Sequence, residues 1–352
     1  MTPAHVSIGS NRFASLQTTE VYDSYWRFAA ERQAIFFRRL EGAAAPWTDD
    51  PILRRHKFTN AYRASDRVSQ FLIRHVIYGE GYAQDPEEVV FRILLFKLFN
   101  KIETWRLLEA EIGRPAWATF DGGRYDRVLT EAFAAGQRLY SAAYIMPPVR
   151  LDGAEGVKHR GHLMLLARMM KDQLAAKLAA APSLSAVFET LKTYPSIGGF
   201  LGFQLAIDLN YSDAVDHPES EFVVAGPGAL DGMAKCFANA QEFDPAELIA
   251  YVTDRQTLEF ERLGLDFRSL WGRPLQLIDC QNLFCEISKY ARVAHPDVAG
   301  VSGRTRIKQI FQPSPSRLGV WYPPKWGLNA LLPPMAAEPA DLFDRSFGHG
   351  PG

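Results

Sequence analysis

Residues 184–211 read LSAVFETLKTYPSIGGFLGFQLAIDLNY. Leu184, Val187, Phe188 and Leu191 put apolar side chains on one face of a first helix. Pro195 stops that helix, the turn runs Tyr194-Pro195-Ser196-Ile197-Gly198, and Phe200, Leu201, Gln204, Leu205 and Leu209 pattern a second helix. A helix that starts at an exposed turn aims unpaired N–H groups outward, which suits an anion such as a DNA phosphate. Ser196, Ile197, Gly198 and Gly199 are the residues of that contact, with Gly198 letting another backbone approach without a Cβ in the way. An ordinary αα-corner would use the same Pro and Gly only to turn the chain. The carboxylates available near this hairpin are Asp208, four residues after Gln204 on the same face, and Glu221. A third, Glu286, stands with Lys289 and Tyr290 at i, i+3 and i+4 of another helix, one turn after Gln281 and Asn282. That set reads either as an intrahelical ion pair or as a helix lining a pocket.

Two stretches are basic. Segment 52–76 carries Arg54, Arg55, Lys57, Arg63, Arg67 and Arg74 against the single acid Asp66. On a helix starting at Thr59 or Asn60, residues Asn60, Arg63 and Arg67 share a face suited to a DNA backbone, or simply to solvent. Segment 286–326 has seven Lys or Arg and two acids, and its GRTRIK run (303–308) suits a phosphate-contacting loop. Asn100 and Trp105 fall in one block with Phe99 and Thr104. Trp105 is either core or a ring on which an extruded base stacks, and Gln204 is a polar group inside an apolar helix that needs a partner or a task. GPG at 226–228 precedes a helix and can form a second nest of backbone amides.

The elements holding these residues are helical by pattern. Periodicity runs from Thr19 to Leu40. A second helix is expected from Thr59 or Asn60 to Tyr78, and a third from Pro86 through EEVVFRILLFKLFNKIETW. Further helical stretches are expected at 124–144, 158–180, 184–192, 198–209, 228–239, 245–262 and 279–292. Strand-like runs are short, at 222–225 and 275–278. The expected fold class is mostly α, in two lobes, with a flexible lead over 1–19, a helical body over 20–327, a lobe seam at 147–157 and a flexible tail over 328–352.

Composition narrows the function. The 352 residues include 39 Lys+Arg and 40 Asp+Glu, a balance that excludes a uniformly basic nucleic-acid binder but not a basic groove on a neutral body. Three cysteines without a CxxC pair argue against a disulfide framework or a thiolate zinc site, and fit a reducing cytoplasm. No apolar run approaches the ~20 residues of a membrane span, so no membrane partner is expected. GxxxxGK[ST], GxGxxG after a strand, HExxH, HxE…PCxxC and GxSxG are all absent, so no metal and no nucleotide cofactor is called for.

The hairpin resembles the helix-hairpin-helix superfamily of DNA glycosylases. A wider set of blocks resembles a narrower family linked to hypermodified DNA bases. They are RRHKFTNAYRASDRVSQFL, FRILLFKLFNKIETW, YPSIGGFLGFQLAIDLNYS, EFVVAGPGALDGMAKCF, LIDCQNLFCEISKYAR and YPPKWG, spanning most of residues 50–327. That family is similar to the helical domains of hydroxymethyluracil DNA kinases and to α-glutamyl/putrescinyl-thymine pyrophosphorylases, and includes a phage-defence glycosylase of glucosylated hydroxymethylcytosine. The resemblance implies a helix-hairpin-helix glycosylase-like fold and double-stranded DNA with modified bases as partner. The activity expected from it is that of a DNA glycosylase: the base is flipped into a pocket containing Asn100, Trp105 and Gln204, and Asp208, Glu221 or Glu286 stabilises positive charge on the sugar while Lys289 donates to the leaving base or holds a phosphate. Arg54, Arg55, Lys57, Asn60, Arg63 and Arg67 would hold the backbone. Phe200 occupies the place of the family's nucleophilic lysine, which excludes a Schiff-base lyase there, and Ala225 falls at the family's aspartate position, so the acid would come from Glu221, Asp216 or another element. The alternative is a transferase that builds a hypermodified thymine from pyrophosphorylated hydroxymethyluracil in DNA.

Overall fold

The computed structural model describes residues 10–142, 146–149, 156–312 and 319–333. Most of the expected flexible lead and tail, 1–9 and 334–352, lies outside them, as do residues 150–155 of the expected seam.

In chain order the α-helices are α1 Glu20–Leu40, α2 Pro51–Arg55, α3 Arg67–Phe71, α4 Pro86–Phe99, α5 Ile102–Ile112, α6 Gly122–Ala134 and α7 Lys158–Lys171. They continue with α8 Leu174–Ala179, α9 Leu184–Lys192, α10 Gly199–Leu209, α11 Pro227–Cys236, α12 Pro245–Asp254, α13 Gln256–Arg262 and α14 Leu277–Ala294. Pairing between extended segments is confined, among the described residues, to isolated bridges, and the runs at 222–225 and 275–278 form no strand. The protein is mostly helical, as its periodicity implies.

Local chemistry explains the helix ends. Thr19 accepts from the Val21 amide to start α1, Asp85 precedes Pro86 and accepts from Glu88 to start α4, and Ser183 accepts from Ala186 to start α9. Three expected helices are broken where no Gly or Pro marks the break. Asn100 adopts a left-handed backbone (φ 49°) between α4 and α5, Gln173 (φ 55°) divides α7 from α8, and Arg255 separates α12 from α13. The short amide side chain of Asn100 tolerates this conformation better than most, while Arg255 keeps a right-handed backbone (φ −87°), so the sequence signal for these breaks is weak.

The helix expected from residue 59 is absent as such. Residues 57–60 are not helical, 63–65 form a single 3₁₀ turn, α3 starts at Arg67, and Leu72–Ile77 is a π-helical segment. The reason is long-range. The amides of Thr59 and Arg63 are taken by carboxylates of α14, and Arg32 of α1 donates to the carbonyls of Phe58 and Thr59.

The chain divides into two compact units. One comprises the described residues up to Ser65, Ala225–Trp321 and those from Leu328 on. Its axis is α14, against which α1, α11 and α12 pack. Helices α11 and α14 approach so closely that a Cβ on Gly232 would strike the Phe284 carbonyl and one on Gly228 would strike Cys285 Sγ. The other unit comprises Asp66–Val224 and Tyr322–Gly327. Its centre is α4, buried from Glu88 to Phe99 and mostly apolar on every face, with Glu88, Arg92 and Lys97 enclosed among its apolar residues; α5, α7, α8 and α10 surround it. The 322–327 segment returns to this unit, where Trp326 packs against Tyr211 and Tyr322.

Candidate nucleic-acid interface and buried ionic sites

The two helices and the intervening turn expected at 184–211 are present as α9, a turn and α10. The strained residue in its turn is Ser196 (φ 65°), whose hydroxyl donates to the Pro148 carbonyl at 3.1 Å. Gly198 is extended (φ −85°) and caps α10. It is exposed, and a Cβ built on Gly198 or Gly199 would meet nothing within 4 Å. Neither glycine is required by internal packing, so the turn is open to an external partner. Ile197 is buried beneath it, and Phe200 is exposed at the first turn of α10.

Asp208 is fully buried. Its Oδ2 lies 3.0 Å from Lys97 Nζ of α4, and Lys97 also donates to Asn100 Oδ1 at 2.7 Å. Gln204 is buried on the same helix as Asp208. The structure therefore brings Asp208 and Asn100 together through Lys97, a residue that sequence reasoning passed over. Its signal was present: a lysine inside FRILLFKLF and an aspartate inside FQLAIDL are each enclosed by apolar residues, and buried charges of opposite sign must meet. Trp105 is 1% exposed and packs against Tyr82 and Phe96, which makes it core.

Glu221 is exposed in the loop between α10 and α11. That loop is held by other groups. The Asn210 side chain donates to the His217 carbonyl and accepts from the His217 amide, both at 2.9 Å. Lys325 donates to the carbonyls of Ser212 and Val215 and pairs with Asp216 at 3.1 Å. The YPPKWG block is thus a clamp on the segment that presents Glu221.

In the other unit, Glu286 Oε2 accepts from the Thr59 amide at 3.1 Å and lies 2.7 Å from Lys289 Nζ. Seven residues earlier on the same face, Asp279 Oδ1 accepts from the Arg63 amide at 2.8 Å. Tyr290 donates to Asp50 at 2.7 Å. The carboxylates of α14 therefore fix the 58–63 segment. A further cluster missed in the sequence joins α11 to α14: Asp231 accepts from Ser288 and from the Ser302 amide, while Lys235 donates to the Ser288 carbonyl at 3.0 Å. Burial alone would raise the Asp231 carboxyl, but those hydrogen bonds and Lys235 hold it below its ordinary value. Burial pushes the Cys285 thiol up to about 11 and Cys280 to about 12, so these thiols are not nucleophiles at neutral pH.

The basic residues of the first block divide by role. Arg54, Arg55 and Lys57 are exposed, and Arg67 is exposed beside Glu103 at 3.4 Å. Arg63 is 2% exposed, and Asn60 is engaged at both ends, by Arg32 and by the Ser65 carbonyl. Asn60, Arg63 and Arg67 therefore do not share the helical face expected of them, because residues 59–62 are not helical and are tied to α1 and α14. No helix among the described residues is long and apolar enough to cross a membrane.

The family model for the helical domain of 5-hmdU DNA kinase matches residues 19–300. A curated relative, the 5-hmdU DNA kinase of Bacillus phage SP10, is 26% identical over 286 residues, covering 77% of this chain and 45% of the relative. The chain thus spans less than half the length of that relative. No solved structure matches. A kinase transfers a group, so these matches overturn the expected activity of a DNA glycosylase, a hydrolase of the glycosidic bond, and nothing in them speaks of phage defence. With that match over most of its length, the chain belongs to the family of the helical domain of 5-hmdU DNA kinases.

Proposed function

We propose that this chain acts in DNA-base hypermodification, binding DNA that carries 5-hydroxymethyluracil and presenting the base's 5-substituent for group transfer. The observation that carries the reading is the family match over residues 19–300. The geometry supports it by what the carboxylates do. Asp208 is held by Lys97, and Glu286 by Lys289 and the Thr59 amide, so two of the three carboxylates considered for sugar chemistry serve buried internal contacts. Glu221 is the exposed one and the one open to a substrate.

The chain has no GxxxxGK[ST] run and matches 45% of its relative, so the relative's whole activity is not carried over. The step that fits best takes place on pyrophosphorylated hydroxymethyluracil. The bond from the 5-methylene carbon to oxygen breaks, pyrophosphate leaves with the electron pair, an amine nitrogen bonds to that carbon, and the nitrogen gives up a proton. Glu221 is the group proposed to accept that proton. The hairpin and exposed cations would position the duplex without reading its sequence.

The test uses duplexes containing thymine, 5-hydroxymethyluracil or its pyrophosphorylated form, with and without an added amine, followed by mass spectrometry of the nucleosides. The expected result is consumption of the amine on the pyrophosphorylated duplex and tighter binding to 5-hydroxymethyluracil than to thymine. Equal binding to all three with no nucleoside changed would refute the reading.

A further inference from the structure

The residues 303–308 fall beyond the segment matched by the family, yet the structure joins them to the first basic block. His56 and Ile310 form an antiparallel bridge. On either side of it, the Lys57 amide donates to the Gln309 carbonyl at 3.1 Å and the Phe311 amide donates to the Arg55 carbonyl at 3.0 Å. This register sets Lys57 opposite Gln309, next to Lys308. The run Arg304, Arg306, Lys308 therefore approaches Lys57, Arg55 and Arg54 along the backbone, and the alternation of paired segments sets Lys57 on the face of Gln309 and Lys308 on the face of His56 and Ile310. All six side chains are exposed, and neither 51–58 nor 298–312 contains an acid.

The track is anchored from below. Asp231 accepts from the Ser302 amide at 2.6 Å, and Arg292 donates to the Arg306 carbonyl at 3.2 Å. Residues of a rigid helical pair thus hold the backbone of a chain segment whose cations have no acid beside them in sequence. Like charges within a Debye length, about 8–10 Å, repel. A polyanion laid along the track would relieve that repulsion and release its own condensed counterions.

We propose that this two-segment cationic track is a contact surface for the sugar-phosphate backbone of duplex DNA. The proposal rests on the hypermodification reading for its choice of polyanion. An extended partner fits the track, because the cations are spread along two paired backbone segments, whereas a free phosphate would need cations that converge. The exposed apolar residues along it, Val301 and Ile310, are nine positions apart and not on a helix. They do not make the continuous apolar face that seats a protein in a lipid interface.

The experiment measures binding of the full chain to short duplexes with thymine or with 5-hydroxymethyluracil as salt is raised from about 50 to about 200 mM. The variant is R304Q/R306Q/K308Q. The charge-matched control is R127Q/R168Q/K177Q, all exposed and in the other unit. The track variant should weaken binding to both duplexes by the same factor, roughly tenfold or more. It should lower the slope of log affinity against log salt by about two to three. The control should change neither, and thermal unfolding should show all three proteins folded. A slope equal to that of the unaltered chain overturns the track and leaves the hypermodification reading standing. An unaltered chain that binds neither duplex overturns that reading, and the track with it. Tighter retention on phosphatidylserine vesicles than on DNA overturns the track in favour of a lipid surface.

Discussion

Lys97 Nζ of α4 lies 3.0 Å from Asp208 Oδ2 of α10, with both side chains buried. Removing one partner of such a pair strands the other charge in a low-dielectric interior, at a cost of about 3–5 kcal/mol. Lys97→Met and Asp208→Leu should each destabilise by that order in urea unfolding, while the double variant should lose much less than the sum. Strict additivity of the two losses would show that the residues do not depend on one another.

Glu286 and Asp279 hold the amides of Thr59 and Arg63. Glu286→Gln should cost about 1–3 kcal/mol, since the amide it accepts from is part-buried. The local signature is hydrogen exchange, which should speed up at Thr59 with Glu286→Gln and at Arg63 with Asp279→Asn. Unchanged protection at both amides would remove the proposed stapling role of α14.

His162 is buried between the Tyr140 hydroxyl, 2.7 Å from Nδ1, and the Pro147 carbonyl, 2.9 Å from Nε2. The carbonyl can only accept, so Nε2 carries the proton and Nδ1 accepts from tyrosine. Burial pushes the imidazole down to about 4 from an ordinary 6.5. The unfolded chain therefore binds a proton that the folded chain does not between those values. Stability is full above about pH 6.5 and falls as pH drops towards about 4, by at most ~3 kcal/mol from this residue. His162→Gln should flatten that part of the pH–stability curve, and a variant with the same acid slope would place the loss elsewhere.

At Gly198 the backbone is extended and a Cβ would meet nothing. Gly198→Ala should cost about 1 kcal/mol or less, the loss of a preferred N-cap residue. If the α9–α10 turn touches DNA, its affinity for duplex should fall by more than that stability change accounts for. Unaltered affinity would remove the turn from the interface.

Glu221 gives the sharpest chemical expectation. Glu221→Gln keeps volume and removes charge at an exposed loop position, so the fold should hold. Conversion of pyrophosphorylated hydroxymethyluracil DNA should drop about 10²-fold, with binding retained, if Glu221 takes the proton. A drop within threefold would reassign that role.

Much of the architecture was legible because it is local. The start of α1 at Thr19, of α4 at Pro86 and the whole of α9 follow from caps and apolar spacing, which act within a turn or two. The family was legible too, since its blocks are carried by residue identity. Tertiary structure alone decided what those residues do. Asn60 and Arg63 look like an exposed basic helix face until α14 claims the amides around them. Asp208 looks like a candidate acid until Lys97, more than a hundred positions earlier in the sequence, neutralises it. Lys57 and Lys308 belong to one track only because two distant backbone segments pair. Each of these depends on a contact between residues far apart in sequence, whose energy exceeds the fraction of a kcal/mol by which local propensity prefers one conformation over another.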